Sequence, residues 1–111
     1  MKIPDSIRIG GIEYAIQYDP KPIFDNTLCY GVIDPQQSLI IINSEMGYEM
    51  QSVTVWHEIL HALFEQRGIE SEDEEHIVDQ LSRGIYQVLQ DNARRLYDLM
   101  PVEETHENSN T

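Results

Sequence analysis

The sequence predicts an α+β fold in which a small, mostly antiparallel β-sheet made of two hairpins packs with a long antiparallel helix pair. Three observations carry that expectation. Before residue 45 the apolar residues come in short alternating runs broken by Gly10-Gly11 and Asp34-Pro35, the pattern of half-buried strands and their turns. From Val53 onward the apolar spacing lengthens to that of a helix. Two such helical runs are separated only by Gly68-Ile69-Glu70-Ser71, a link short enough to fold them back antiparallel. A chain of 111 residues holds one domain with a modest core, placed at residues 1–100, and a polar tail at 101–111.

Residues 6–9 and 12–18 flank the two-residue turn Gly10-Gly11. Ile12, Tyr14, Ile16 and Tyr18 alternate with Glu13, Ala15 and Gln17, as in a hairpin with one face buried. Asp19-Pro20-Lys21-Pro22 ends this hairpin, and 23–27 is a connection of undefined form. Residues 28–33 and 39–42 form a second hairpin around Asp34-Pro35-Gln36-Gln37, where Pro suits the first corner of the turn. Cys29 lies in this apolar run and is expected to be a buried, inert thiol. The same run, 29–33, is a candidate edge for pairing with an extended peptide, with Gly31 leaving room for a close backbone.

Asn43-Ser44-Glu45 leads into a first helix that begins between Met46 and Met50. Its apolar stripe is Val53, Trp56, Leu60, Leu63 and Phe64, and Gly68 stands where a helix C-cap is expected. The second helix, 72–90, turns Ile77, Val78, Leu81, Ile85, Val88 and Leu89 to one face. Residues 91–95 extend it, Leu96, Leu99 and Met100 form a final turn against the core, and Pro101 stops it. The polar residues 102–111, His106 among them, carry no periodicity and are expected to be disordered.

The first helix contains His57-Glu58-Ile59-Leu60-His61. Two histidines four apart on a helix lie one turn above the other, so their imidazoles can converge on one metal ion with the intervening Glu beside it. This is the HExxH arrangement of zinc hydrolases. Zn²⁺ takes neutral imidazole nitrogens, leaves a position for water and lowers its pKa to about 7, and Glu58 would be the general base. By chance, two His and a Glu fall in this register in a chain this short well under about one time in a hundred.

A third protein ligand is needed. At about 100° per residue, His57 and His61 lie to one side of a stripe centred near Arg67 and Trp56. In an antiparallel pair the partner ligand must be displaced in the same rotational sense, which Glu75 is. Asp73 falls on the opposite flank, Glu74 points at the middle of the apolar face and His76 points away. Glu75 is the expected third ligand, giving HExxH-x13-Glu. Asp79, one turn further, is the reserve, either as ligand or as the partner of the second nitrogen of His57, and Asp79 or Glu74 would be the ligand if Glu75 is not.

With these residues in view, the stretch from His57 to Asn92 resembles the small phage- and prophage-encoded HExxH proteins related to the ImmA/IrrE metallopeptidase group, and Gly31-Val32-Ile33-Asp34 and Leu39-Ile40-Ile41-Ile42 match the paired strands that precede the motif helix there. The likeness covers about residues 7–92. It implies a minimal zincin-like fold, zinc on His57, His61 and Glu75, Glu58 as the base, and a phage or prophage origin. The metzincin pattern is absent, since Phe64-Glu65-Gln66-Arg67 stands where its Gly and third His would fall.

The net charge is −13, from 20 acidic and 7 basic residues. That balance opposes direct binding to nucleic acid or an anionic membrane and suits a basic partner surface. One cysteine forms no internal disulfide, no apolar run approaches a membrane span and the N-terminus lacks the apolar core of a signal peptide, so a cytoplasmic location in a bacterial host is expected. The functional expectation is therefore a zinc-dependent metallopeptidase acting on a protein or peptide substrate. Its alternative is a non-enzymatic acidic effector that binds a host protein, with zinc only structural. For the donor to a developing oxyanion, Tyr30, His76, Arg83 and Tyr86 are candidates that the sequence does not rank.

Overall fold

The computed structural model describes residues 2–101. Strands β1 (Ser6–Ile9) and β2 (Ile12–Asp19) pair antiparallel across Gly10-Gly11, with Ile9 opposite Ile12. Strands β3 (Ile23–Phe24) and β4 (Thr27–Leu28) form a separate two-stranded ribbon in the stretch left undefined by the sequence. It turns at Asp25 and Asn26, with φ of 56° and 63°, in the left-handed region that Asp and Asn tolerate better than most residues. Strands β5 (Gly31–Asp34) and β6 (Leu39–Asn43) make the second hairpin. The four-stranded sheet has the order β1-β2-β6-β5, so β6 lies beside β2 in parallel and β5 is left at an edge.

The run 28–33 is not one strand. Leu28 ends β4, the Cys29 N–H closes the ribbon by donating to Pro22 O at 2.9 Å, and Tyr30 O accepts from the Asn43 N–H at 2.9 Å before β5 begins. Cys29 is consequently half-buried in a connection rather than sealed in a strand, because the ribbon draws the backbone before it away from the sheet.

Helix α1 (Tyr48–Gln66) buries two faces rather than one stripe. Val55, Ile59 and Ala62 pack on the sheet with Ile9, Tyr14, Ile16, Ile40 and Ile42, while Leu60 and Phe64 pack with Val78 of α2 (Glu74–Asp91). Trp56 and Leu63 are only partly buried beside these clusters. The helix ends in a Schellman turn, with the Ile69 N–H donating to Phe64 O at 2.9 Å and the Gly68 N–H to Glu65 O at 3.3 Å, which needs the positive φ of 68° at Gly68.

The contact face of α2 is centred on Val78 and Ser82, both with 0% exposure. This is rotated by roughly 60° from the face centred on Glu74 that the apolar pattern suggested. Leu81 and Val88 are left about half exposed. Ser82 tolerates burial because its Oγ donates to Asp79 O at 3.0 Å. The expected final turn against the core is also overturned. Asn92 ends α2 by donating from Nδ2 to Val88 O at 3.0 Å, and the 3₁₀ turn Arg95–Leu99 that follows leaves Tyr97, Leu99 and Met100 exposed. The tail beyond Pro101, with His106, lies outside the described residues. No helix among the described residues is long and apolar enough to cross a membrane.

Ile40 sits at 0% exposure on β6, between sheet and helix. Ile40→Ala is expected to destabilise the fold by about 3 kcal/mol, seen as a lower urea midpoint at unchanged slope.

Candidate metal centre

Residues 57–61 occupy the middle of α1, and the arc they present lies between its sheet-facing and α2-facing sides. The Nε2 atoms of His57 and His61 are 3.2 Å apart. Across from them, at the start of α2, Glu75 places Oε2 3.0 Å from His57 Nε2 and Oε1 3.0 Å from His61 Nε2. These three residues form a group that could hold a metal ion. At ligand distances of about 2.0–2.1 Å, the donor atoms of a tetrahedral zinc site stand roughly 3.3 Å apart; one donor atom from each of the three residues lies within 4.8 Å of the others, and each Glu75 oxygen faces one of the two rings. Glu75 itself is 75% exposed, which leaves an approach to the triangle from solvent.

The other ring nitrogens are also engaged. His61 Nδ1–H donates to Glu74 Oε2 at 2.7 Å, which fixes the tautomer that leaves the Nε2 lone pair for a metal. The sequence reading had turned Glu74 toward the apolar face. The rotation of α2 onto Val78 and Ser82 puts Glu74 and Glu75 on either side of the helix contact instead, and both reach His61. Asp79 Oδ1 is 3.9 Å from His57 Nδ1, too long for a hydrogen bond but close enough to act on its charge. Asp79 is thus beside the second nitrogen of His57, not in the triangle.

Electrostatically the two histidines differ. Burial lowers the pKa of His57, and the nearby Glu75 carboxylate only partly offsets it. Burial also works against protonation of His61, but the hydrogen bond to Glu74 and the charges of Glu58 and Glu75 outweigh it and raise its pKa. Glu58 is 5% exposed, and burial, opposed by His61 and assisted by Glu75, pushes its carboxyl up to about 7. Among the described residues no group hydrogen-bonds that carboxyl, so it is a buried acid aimed into a cleft without a partner.

That cleft, of about 770 Å³, is floored by β5 and α1 and flanked by the β3–β4 ribbon and the start of α2. Gly31 explains how β5 comes so near α1. A Cβ there would stand 2.5 Å from Thr54 Cγ2 and 3.4 Å from Glu58 Oε2. The space at Gly31 is therefore taken by the protein's own helix, not kept for a docked backbone as the sequence suggested. Cys29 and Tyr30 line the cleft, whereas His76, Arg83 and Tyr86 do not, and Arg83 Nε instead meets Asp79 Oδ2 at 3.4 Å. The residue that sequence reasoning misplaced is Glu74, and the signal available for it was its position one residue before Glu75 at a helix start. Comparison of the chain with protein-family models, curated proteins and solved structures found no match.

Two outcomes follow from this geometry. Metal titration should give one divalent ion per chain in the wild type, loss of binding in His61→Ala and Glu75→Ala, and about 10–100-fold weaker binding with unchanged stoichiometry in Glu74→Gln. In the metal-free protein, Glu58 binds a proton more tightly folded than unfolded. Its contribution to stability is therefore lost as pH rises from its ordinary value near 4.5 through about 7. Urea unfolding with a chelator present should show Glu58→Gln more stable than wild type by about 3 kcal/mol at about pH 8, and by little at about pH 4.

Proposed function

We propose that the protein is a zinc-dependent metallopeptidase related to the ImmA/IrrE group that its motif and strand pattern resemble, with a minimal zincin-like fold. The observation that carries this reading is Glu58, a carboxyl that is 5% exposed, unpaired among the described residues and facing the same cleft as the His57-His61-Glu75 triangle. A purely structural metal site has no use for such a group, and burying it without a partner costs stability.

A zinc ion held by His57, His61 and Glu75 would supply Lewis acidity to a water and to the carbonyl under attack. The chain's own residues do the rest. Glu58 takes the proton of the attacking water and delivers it to the leaving amine, and its burial beside the triangle places it to do both. Glu74 holds the His61 ring in place and Asp79 stands behind His57. The free edge of β5 can take an extended peptide by main-chain pairing. Tyr30, exposed on the cleft wall, is the candidate donor to the developing oxyanion. The site of action is the cytoplasm of a bacterial host.

The charge of −13 favours one other reading, an acidic effector that occupies a host protein while the metal only braces the fold. Glu58→Gln separates the two. The peptidase reading expects full metal content, a native circular dichroism spectrum and turnover reduced by about 10²-fold or more. Undiminished biological effect in that variant, with metal retained, would favour the effector.

A further inference from the structure

The cleft has two unlike ends, and their positions follow from the chain direction. α1 begins where β6 finishes, with Gln51 Nε2 donating to Asn43 O at 3.2 Å, and the Asn43 N–H in turn meets Tyr30 O. Its far end is tied to the first hairpin by Gln66 Nε2 donating to Ile9 O at 3.0 Å. α1 thus runs antiparallel to β6 and in the same sense as β5. Tyr30 and the β3–β4 ribbon stand at its N-terminal half, with Met50 and Val53, and Glu65 stands at its C-terminal end. At 1.5 Å per residue, Val53 and Glu65 each lie about 9 Å along the helix from the midpoint of the histidine pair.

The first end is apolar and uncovered. Ile23, Phe24, Leu28 and Tyr30 are each 60–64% exposed on or beside the ribbon, and Phe24 and Tyr30 line the cleft. Exposed apolar residues gathered at the mouth of a cleft are the usual mark of a contact surface. The second end carries Glu65. Six carboxylates and no Lys or Arg line the cleft among the described residues. Glu74 and Glu75 are committed to the histidines, Glu58 is buried, Asp79 meets Arg83 and Asp25 sits in the turn of the ribbon. Glu65 remains, one turn beyond His61, exposed and engaged by no ion pair or side-chain hydrogen bond among the described residues.

We infer that the cleft selects an extended peptide segment with an apolar side chain against Phe24 and Tyr30 on one side of the metal triangle and a Lys or Arg against Glu65 on the other. At about 3.3 Å per residue, the roughly 9 Å along the helix to Glu65, and to Val53 on the apolar side, spans about three residues of an extended peptide. The inference rests on the peptidase reading for the purpose of the cleft, but its test has an arm that does not need turnover.

The probe is an equimolar mixture of random dodecapeptides with the zinc-loaded protein. Cleavage sites are read by mass spectrometry for wild type, and the peptides retained by immobilised Glu58→Gln are sequenced. Both sets should be enriched in an apolar residue and a basic residue flanking the centre. Adding Phe24→Ser should reduce the apolar enrichment by about tenfold and leave the basic one, and Glu65→Gln should do the reverse. Both positions are exposed, and circular dichroism checks that the variants fold. Cleavage and retention without these preferences, or preferences that neither substitution moves, overturn the inference and leave the peptidase reading standing. Selective retention without cleavage by wild type upholds the selective cleft and sinks the peptidase. Neither retention nor cleavage overturns both.

Discussion

The seam between α2 and α1 at Val78 and Ser82 is the contact on which the candidate site depends. Both residues are fully buried, and the small side chain of Ser82, with its hydroxyl satisfied by Asp79 O, lets the helices sit close at that point. Because the first turn is continuous with the rest of α2, the rotation that seats Val78 against Leu60 and Phe64 also sets the azimuth of that turn. Glu75 then meets both Nε2 atoms and Glu74 meets His61 Nδ1. An apolar contact about one turn away therefore bears on the electrostatics of the histidines. Leaving Leu81 and Val88 partly exposed is the consequence of the same rotation.

On the opposite flank, the close approach of β5 does for Glu58 what α2 does for the histidines. Gly31 admits Thr54 and lets the strand come so near α1 that a Cβ there would stand 3.4 Å from Glu58 Oε2, and the carboxyl is 5% exposed. Desolvation raises its proton affinity, and no hydrogen bond from the described residues offsets the cost. A fold optimised for stability alone would pair this group or replace it. A buried carboxyl beside three side chains that could hold a metal ion is the feature on which the peptidase proposal rests.

Local signals made part of this legible in the sequence. The HExxH register, the two-residue turn at Gly10-Gly11, the helix stop at Gly68 and the hairpin at Asp34-Pro35 all rest on interactions within a few residues, and each stands where the pattern placed it. The projection also put Glu75 on the flank of the histidines, and Glu75 is in the group that could hold a metal ion, although the contact face of α2 lies about 60° from the one the apolar pattern gives. Glu74, Cys29 and Gly31 were misread for a common reason. Each is positioned by a contact distant in the chain: Glu74 by the rotation of α2, Cys29 by the ribbon closing on Pro22, and Gly31 by the approach of Thr54.

The sequence by itself determined which atoms could meet a metal: two imidazoles one turn apart, a carboxylate between them in the chain and an acidic start to the next helix. Only the tertiary structure decided which carboxylate bridges the histidines, which one orients a ring, and which one loses its water. The physical reason is that ligand type and helical spacing are properties of a single element, whereas the rotation of α2 and the burial of Glu58 result from packing three elements into one core. Apolar periodicity defines a helix's buried face only to within about one residue's turn, and here that margin separates a carboxylate in the core from one on His61.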